Sequence, residues 1–373
     1  MPNKTLEKWE EKTLSEVCTI TAGQSPESQF YNTEGKGLPF YQGKKEFTNK
    51  YIGDPTVWTT KITKEAFAGD ILMSVRAPVG PINYATQKCC IGRGLASIRK
   101  TEKISNDFLF YYLLSIQKEI GGHDGAVFNS ISRNEITTLK IKLPPLQEQQ
   151  RIVKILDEAF ENIEKAKQNT LQNLNNAKEL FESYLINTFL NNNETWLADT
   201  LQNICEKISA GGDKPEIFSE TKTIECNIPI YSNGIKDNGL YGYTNNPTIE
   251  KPAITISARG TIGFICKRLE PYCPIVRLIS LIPRDFIDLS FLAYAMNFVI
   301  PKNTGTSIPQ LTVPNLKNNI VKYPPLAEQQ KIVTQLDELQ EQTKKLEQIY
   351  EQKIKDLDEL KQSILQKAFH GEL

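Results

Sequence analysis

Two arginines, each set in the same small pattern, are the residues of this sequence best placed for chemistry. Residues 69–80 read Gly-Asp-Ile-Leu-Met-Ser-Val-Arg-Ala-Pro-Val-Gly, and residues 253–263 read Ala-Ile-Thr-Ile-Ser-Ala-Arg-Gly-Thr-Ile-Gly. Ser-x-Arg-x-x-x-Gly therefore occurs as Ser74/Arg76/Gly80 and again as Ser257/Arg259/Gly263. Alternating apolar residues before each Arg predict a strand, with the Arg at its end and a glycine-bearing turn beyond. A guanidinium on a strand rim can fork onto a phosphate or a guanine edge. It can equally hold a loop through a buried carboxylate, and residue types alone leave both readings open.

The chain holds 44 basic and 44 acidic side chains, so only their distribution is informative. Residues 36–103 carry 12 basic against 5 acidic, and residues 251–284 carry 6 against 1, so positive charge collects around both Arg patterns. Contact with nucleic acid needs such a bias; solvated faces without a ligand also produce it. The candidate contacts are Lys44, Lys45, Ser74, Arg76 and Arg93 in the first window, and Ser257, Arg259, Lys267 and Arg268 in the second.

Catalytic constellations are missing. There are two histidines. His123, in Gly-Gly-His-Asp-Gly, reads as a loop residue rather than a general base, and His370 belongs to a helix end. No phosphate loop accompanies Leu156-Asp157-Glu158-Ala159, which leaves that acid pair without a nucleotide to serve. Leu143 and Tyr323 precede two Pro-Pro pairs where an amino-methyltransferase needs Asp or Asn to grip its target amine, and no cofactor glycine loop occurs. Seven cysteines form no Cys-x-x-Cys pair, so no zinc knuckle is expected. Without a signal peptide or membrane-length apolar run, a reducing cytosol is the expected compartment.

The elements that must position the arginines are also duplicated. Residues 143–158 read Leu-Pro-Pro-Leu-Gln-Glu-Gln-Gln-Arg-Ile-Val-Lys-Ile-Leu-Asp-Glu, and residues 323–338 read Tyr-Pro-Pro-Leu-Ala-Glu-Gln-Gln-Lys-Ile-Val-Thr-Gln-Leu-Asp-Glu, at an offset of 180. Pro is tolerated in the first turn of a helix, where amide donors lack partners, and Glu148 and Glu328 suit the positive end of the helix dipole. Apolar residues then recur about every 3.5 positions, as in a coiled-coil seam. In the second copy the seam runs Ile332, Leu336, Leu339, Thr343, Leu346, Tyr350, Lys353, Leu357, Leu360, Ile364. The first copy runs Ile152, Leu156, Ala159, Ile163, Ala166, Thr170, Asn173, Ala177, Leu180, Tyr184. A thin helix carrying Ala159, Ala166 and Ala177 suits a bulky one carrying Leu339, Leu346 and Leu357, so the two are expected to pack on each other.

Outside the helices the repeat continues. Trp9 and Cys18 answer to Trp196 and Cys205, and Leu38-Pro-Phe-Tyr to Ile228-Pro-Ile-Tyr. Phe108-Leu-Phe-Tyr-Tyr-Leu-Leu and Phe291-Leu-Ala-Tyr-Ala-Met read as short buried helices. Residues 125–131 and 305–311 then read as a loop and short strand returning to each Pro-Pro. The expected architecture is α+β, a pseudo-twofold internal duplication. Two mixed α/β domains, 1–146 and 191–326, are separated by two long helices, 147–190 and 327–373, forming an antiparallel coiled coil.

With the Pro-Pro-Leu-x-Glu-Gln-x-(Arg/Lys)-Ile-Val helix start twice at long spacing, and the Gly69–Gly80 segment, the chain resembles the specificity (S) subunit of type I restriction–modification enzymes. The resemblance covers the whole chain, with a looser Arg pattern in the second copy. It implies two target-recognition domains, each reading one half of a split, asymmetric site in double-stranded DNA. It implies helices that act as a spacer and dock two DNA methyltransferase (M) subunits, with restriction/translocase (R) subunits completing the complex. S-adenosylmethionine and ATP would then be bound by those partner subunits, this chain holding no cofactor or metal, in a prokaryotic cytoplasm and away from membranes. The runner-up is a coiled-coil adaptor presenting two protein-binding modules. Salt dependence separates them, because phosphate contacts make affinity fall steeply with salt.

Overall fold

In the computed structural model, residues 9–121, 130–191, 195–300 and 311–373 are described. The loop readings of His123 and of residues 125–129 and 305–310 lie outside them. The chain divides into two compact units, one formed by Met1–Leu171 with Gln352–Leu373 and the other by Gln172–Glu351. Each unit thus combines one globular part with the opening of its own long helix and the closing portion of the other.

In the first unit, Glu10–Thr13 and Lys140–Leu143 pair antiparallel directly before the Pro-Pro. A four-stranded antiparallel sheet runs in the order Cys18–Ala22, Leu95–Lys100, Ile71–Ser74, Ile82–Tyr84. Ile71, Leu72 and Met73 are all fully buried because the sheet is covered on both faces. Alternation sends Ile71 and Met73 into a core with Phe108, Leu109, Ile152, Leu156, Leu365 and Ala368, and Leu72 into a second core with Tyr41, Ile91 and Leu95. The second core belongs to a five-stranded sheet of short strands in which Leu38–Tyr41 runs parallel to Cys89–Ile91.

The second unit repeats the scheme. Leu197–Thr200 pairs with Ile320–Tyr323, and the four-stranded order is Cys205–Ala210, Ile279–Pro283, Ala253–Ile256, Ile265–Arg268. Its outer sheet has three strands, Leu240–Thr244, Ile228–Tyr231 and Cys273–Pro274. The covering helices start on side-chain caps: Ser105 accepts from the Phe108 amide before Asn106–Ser115, and Asp288 from the Phe291 amide before Leu289–Val299.

The long helices span Leu146–Ile186 and Leu326–Phe369. Their repeated Gln explains much of the shared opening. Gln149 is wholly buried; its amide donates to the Pro144 carbonyl at 2.8 Å and its Oε1 accepts from the Ser105 amide at 2.8 Å. Gln329 does the same with Pro324 at 2.8 Å and Asp288 at 2.8 Å. One side chain therefore ties each long-helix start to the start of the covering helix. The repeated Asp adds a second tie: Tyr111 donates to Asp157, and Tyr294 donates to Asp337 at 2.5 Å. Burial first, and the adjacent carboxylate second, push both phenols above their ordinary range.

Within each unit the two helices run antiparallel. Lys167 pairs with Asp358 at 2.7 Å and Arg151 donates to the Leu373 carbonyl at 2.8 Å in the first; Tyr184 donates to Gln335 at 3.1 Å in the second. Ile152, Leu156, Ile163 and Leu336 are buried on this seam, and Ile332, Leu339 and Leu357 half-buried, while Leu346 is exposed. Beyond Thr170 and Tyr350 the expected spacing gives way. The covered residues are Leu174, Ala177, Phe181 and Leu185, and correspondingly Ile354, Leu357, Lys361 and Leu365, with the expected Ile364 half-buried against the core. Leu180 and Leu360, expected on the seam, are 53% and 47% exposed. A strict seven-residue repeat drifts by about 20° per heptad around a helix of about 3.6 residues per turn, and a step of four in place of three restores the face. Gly371, at φ 72, ends the second helix in the left-handed turn expected after His370.

Candidate nucleic-acid interface

Each Arg pattern is built around its Ser. The Ser74 hydroxyl donates to the carbonyls of Arg76 at 3.1 Å and Pro78 at 3.0 Å, while the Gly80 amide returns to the Ser74 carbonyl at 3.0 Å. The Gly263 amide likewise returns to the Ser257 carbonyl at 3.0 Å. Gly80 and Gly263 have φ of 107 and 85, and a Cβ on Gly80 would lie 2.7 Å from the Gln117 carbonyl oxygen. Ser74 and Ser257 are 2% and 1% exposed. Both are too buried to touch a ligand and leave the contact set. Ser74 clamps its own turn, whereas the Ser257 hydroxyl accepts from the Gly234 amide at 3.4 Å, and Arg76 and Arg259 stand exposed on these loops.

The buried-carboxylate reading of Arg76 is answered one strand earlier. Asp70 is 3% exposed, and it is Arg99 that forks onto it, at 2.7 and 2.8 Å. That hydrogen bond raises the Arg99 pKa above its ordinary value. Arg76 remains at the rim.

A second turn adjoins the first. Arg93 is exposed, and the next residue's carbonyl, Gly94, accepts from the Val75 amide at 2.9 Å, beside Arg76. The Gly94 amide donates to the Gln42 carbonyl at 3.1 Å, which brings in the short turn Lys44–Glu46 with Lys44 and Lys45 exposed. Lys44, Lys45, Arg76 and Arg93 thus belong to one linked set of loops.

In the second unit the equivalent turn carries a residue the motif reading missed. The Gly92 amide donates to Tyr41, and its counterpart Ile275 to Tyr231, so Val276-Arg277 stands where Arg93-Gly94 stands. Both residues are exposed and left-handed, at φ 52 and 62. Asn233 joins this turn to the Arg pattern by donating to the Val276 carbonyl at 2.7 Å and accepting from the Ala258 amide at 2.8 Å. Arg277 therefore adjoins Arg259. No residue pattern marked it: by these bonds it falls at the place of Gly94, one residue after the counterpart of Arg93.

Two other expectations change. Arg268 is 8% exposed: its Nε donates to Thr255 at 3.0 Å, its Nη2 to the Asn238 carbonyl at 2.6 Å, and it covers the Tyr231 ring at 3.5 Å. It is a core cation and leaves the contact set. Lys267 is exposed but donates to Ser290 at 3.0 Å and lines a cleft of about 370 Å³ with Tyr294 and Gln340, on the helical side.

The model of the type I restriction modification DNA specificity domain matches residues 6–173 and again 193–356. The chain belongs to that family. It is 44% identical to a putative type I restriction enzyme specificity subunit (MjaX) of Methanocaldococcus jannaschii over 186 residues, covering 48% of this chain and 43% of that protein. It is 28% identical to a putative type I specificity subunit of Mycoplasma pneumoniae over 334 residues, covering 87% and 88%. Two solved structures share the fold, both at 22% identity. One, from work on complex assembly and conformational transition of the type I R-M system, aligns at a TM-score of 0.82 over 100% of both chains. The other, the HsdS subunit from Thermoanaerobacter tengcongensis, aligns at 0.65 over 98% and 97%. Among the described residues no helix is long and apolar enough to cross a membrane.

Proposed function

We propose that this chain is the DNA-recognition subunit of a type I restriction–modification complex and performs no chemistry itself. The observation that carries the reading is the pair of equivalent, exposed arginine loops, Arg76 with Arg93 and Arg259 with Arg277, set on otherwise divergent surfaces. Each unit would read one half of a split, asymmetric site in duplex DNA, the exposed cations holding phosphates and base edges. The long helices would fix the unread spacer and dock two methyltransferase subunits. Those partners would bring S-adenosylmethionine, and restriction/translocase subunits would bring ATP, in the cytoplasm of a prokaryotic cell.

The test is to express the chain with a cognate methyltransferase and map methylated adenines across the host genome. The expected result is one split motif whose halves differ, with no methylation by the purified chain and S-adenosylmethionine alone. Methyl transfer by the isolated chain overturns the reading. Failure of the assembled complex to show salt-dependent binding to duplex DNA favours the adaptor instead.

A further inference from the structure

The long helices differ from each other reciprocally along the faces they turn towards each other. In the first unit, Lys167 of the first helix meets Asp358 of the second at 2.7 Å. The offset of 180 maps this pair onto Glu347 and Lys178, which line one cleft in the second unit. The ammonium group lies on the first helix both times. A second layer repeats the asymmetry. Phe160 carries the Lys361 ammonium over its ring at 4.8 Å, and the mapped residues Gln340 and Phe181 line that same cleft. The ring again lies on the first helix. Next to these positions, Ala166 and Ala177 of the first helix correspond to Leu346 and Leu357 of the second.

We propose that these layers make the helices heterotypic partners, the first accepting only a helix of the second kind. The chain then pairs its own two helices instead of joining like helices from two copies. Two first helices, set antiparallel in the same register, would oppose Lys167 to Lys178 and Phe160 to Phe181, and leave Ala166 level with Ala177. Repelled cations, crowded rings and an underfilled layer would all arise together. Two second helices would oppose Glu347 to Asp358 and Gln340 to Lys361, with Leu346 level with Leu357. Like charges and a misfitted core layer discriminate between partners in this way in coiled coils generally.

Full-length variants test the code. Lys167→Glu with Lys178→Glu makes the first helix acidic, and Glu347→Lys with Asp358→Lys makes the second basic. Each double variant alone should lose on the order of 3–6 °C in Tm, and the quadruple variant should return to the parental value. Co-expressed, the tagged first variant should capture the untagged second as an exchanged dimer, at least tenfold more than the tagged parent captures untagged parent. Double variants as stable as the parent, a quadruple variant no better than the doubles, or no preferential capture would each overturn the proposal.

Discussion

In the first unit the central sheet holds a buried carboxylate, Asp70, satisfied by Ser97, Arg99 and the Phe67 amide. In the second unit Ala253 takes the position of Asp70, and its cross-strand neighbour is a buried guanidinium, Arg268, satisfied by Thr255, Asn238 and the Tyr231 ring. Opposite charges thus occupy the same end of the equivalent sheet in the two units, each neutralised or hydrogen-bonded locally. The outer sheets differ too, five strands against three. By contrast Gln149 and Gln329 make the same bonds to equivalent groups, and so do the Tyr111–Asp157 and Tyr294–Asp337 pairs. A charge inside a domain can change sign if its partners change with it. A joint that sets the angle between a domain and its helix has no such freedom, because both ends must stay matched.

The largest effect should come from the part common to both units. Removing Lys165–Leu171 together with Lys345–Glu351 takes the same seven residues from each helix, roughly 10 Å at about 1.5 Å per residue. The seam steps from Ile163 to Leu174 and from Thr343 to Ile354 by four positions after the deletion, which keeps the buried face continuous. If the helices set the spacer, methylation by the assembled complex at parental sites should collapse. On a ladder of spacers, activity should reappear near three base pairs shorter, or be lost where the changed helical phase cannot be met. A folded double deletion that still prefers the parental spacer would show that the helices are not the ruler.

The scaffold was legible in the sequence because it constrains residue types. Pro-Pro marks the helix starts, Gly80 and Gly263 mark turns needing positive φ, and apolar alternation marks the central strands. The seam beyond Thr170 was obscured because its covered positions include polar Lys361, while exposed positions include Leu180 and Leu360. The contact set was harder still. Counting charge ignores direction, and Lys267 and Arg268 are neighbours on one strand, so they face opposite sides. Arg277 carries no motif of its own and is recognisable only from the hydrogen bonds that equate its turn with that of Arg93.

The joint between domain and helix gives the next effect in size. Gln149→Ala and Gln329→Ala each leave the Pro carbonyl and covering-helix amide without their buried partner, at about 2–3 kcal/mol. Equal losses are expected in the two units, measured by urea denaturation. A loss in one and none in the other would mean that the shared geometry does not carry equal weight.

The smallest effects belong to the rims, where the units should behave independently. Arg76→Ala or Arg93→Ala should weaken reading of one half-site only, and Arg259→Ala or Arg277→Ala the other. A lost phosphate contact should flatten the salt dependence by about one unit, and a lost base contact should relax one position at about 1–3 kcal/mol. Glycine sharpens the comparison. Arg277 is exposed and left-handed at φ 62, where a side chain costs about 1 kcal/mol that glycine avoids. Arg277→Gly should therefore stabilise the second unit by up to about 1 kcal/mol while weakening its half-site. Arg93 has no positive φ to relieve, so Arg93→Gly should weaken its own half-site with no gain in stability. Thermal melts beside binding to duplexes scrambled in one half-site at a time read both quantities. Arg277→Gly that stabilises the chain yet binds both half-sites like the parent would leave the left-handed turn without a role in DNA contact.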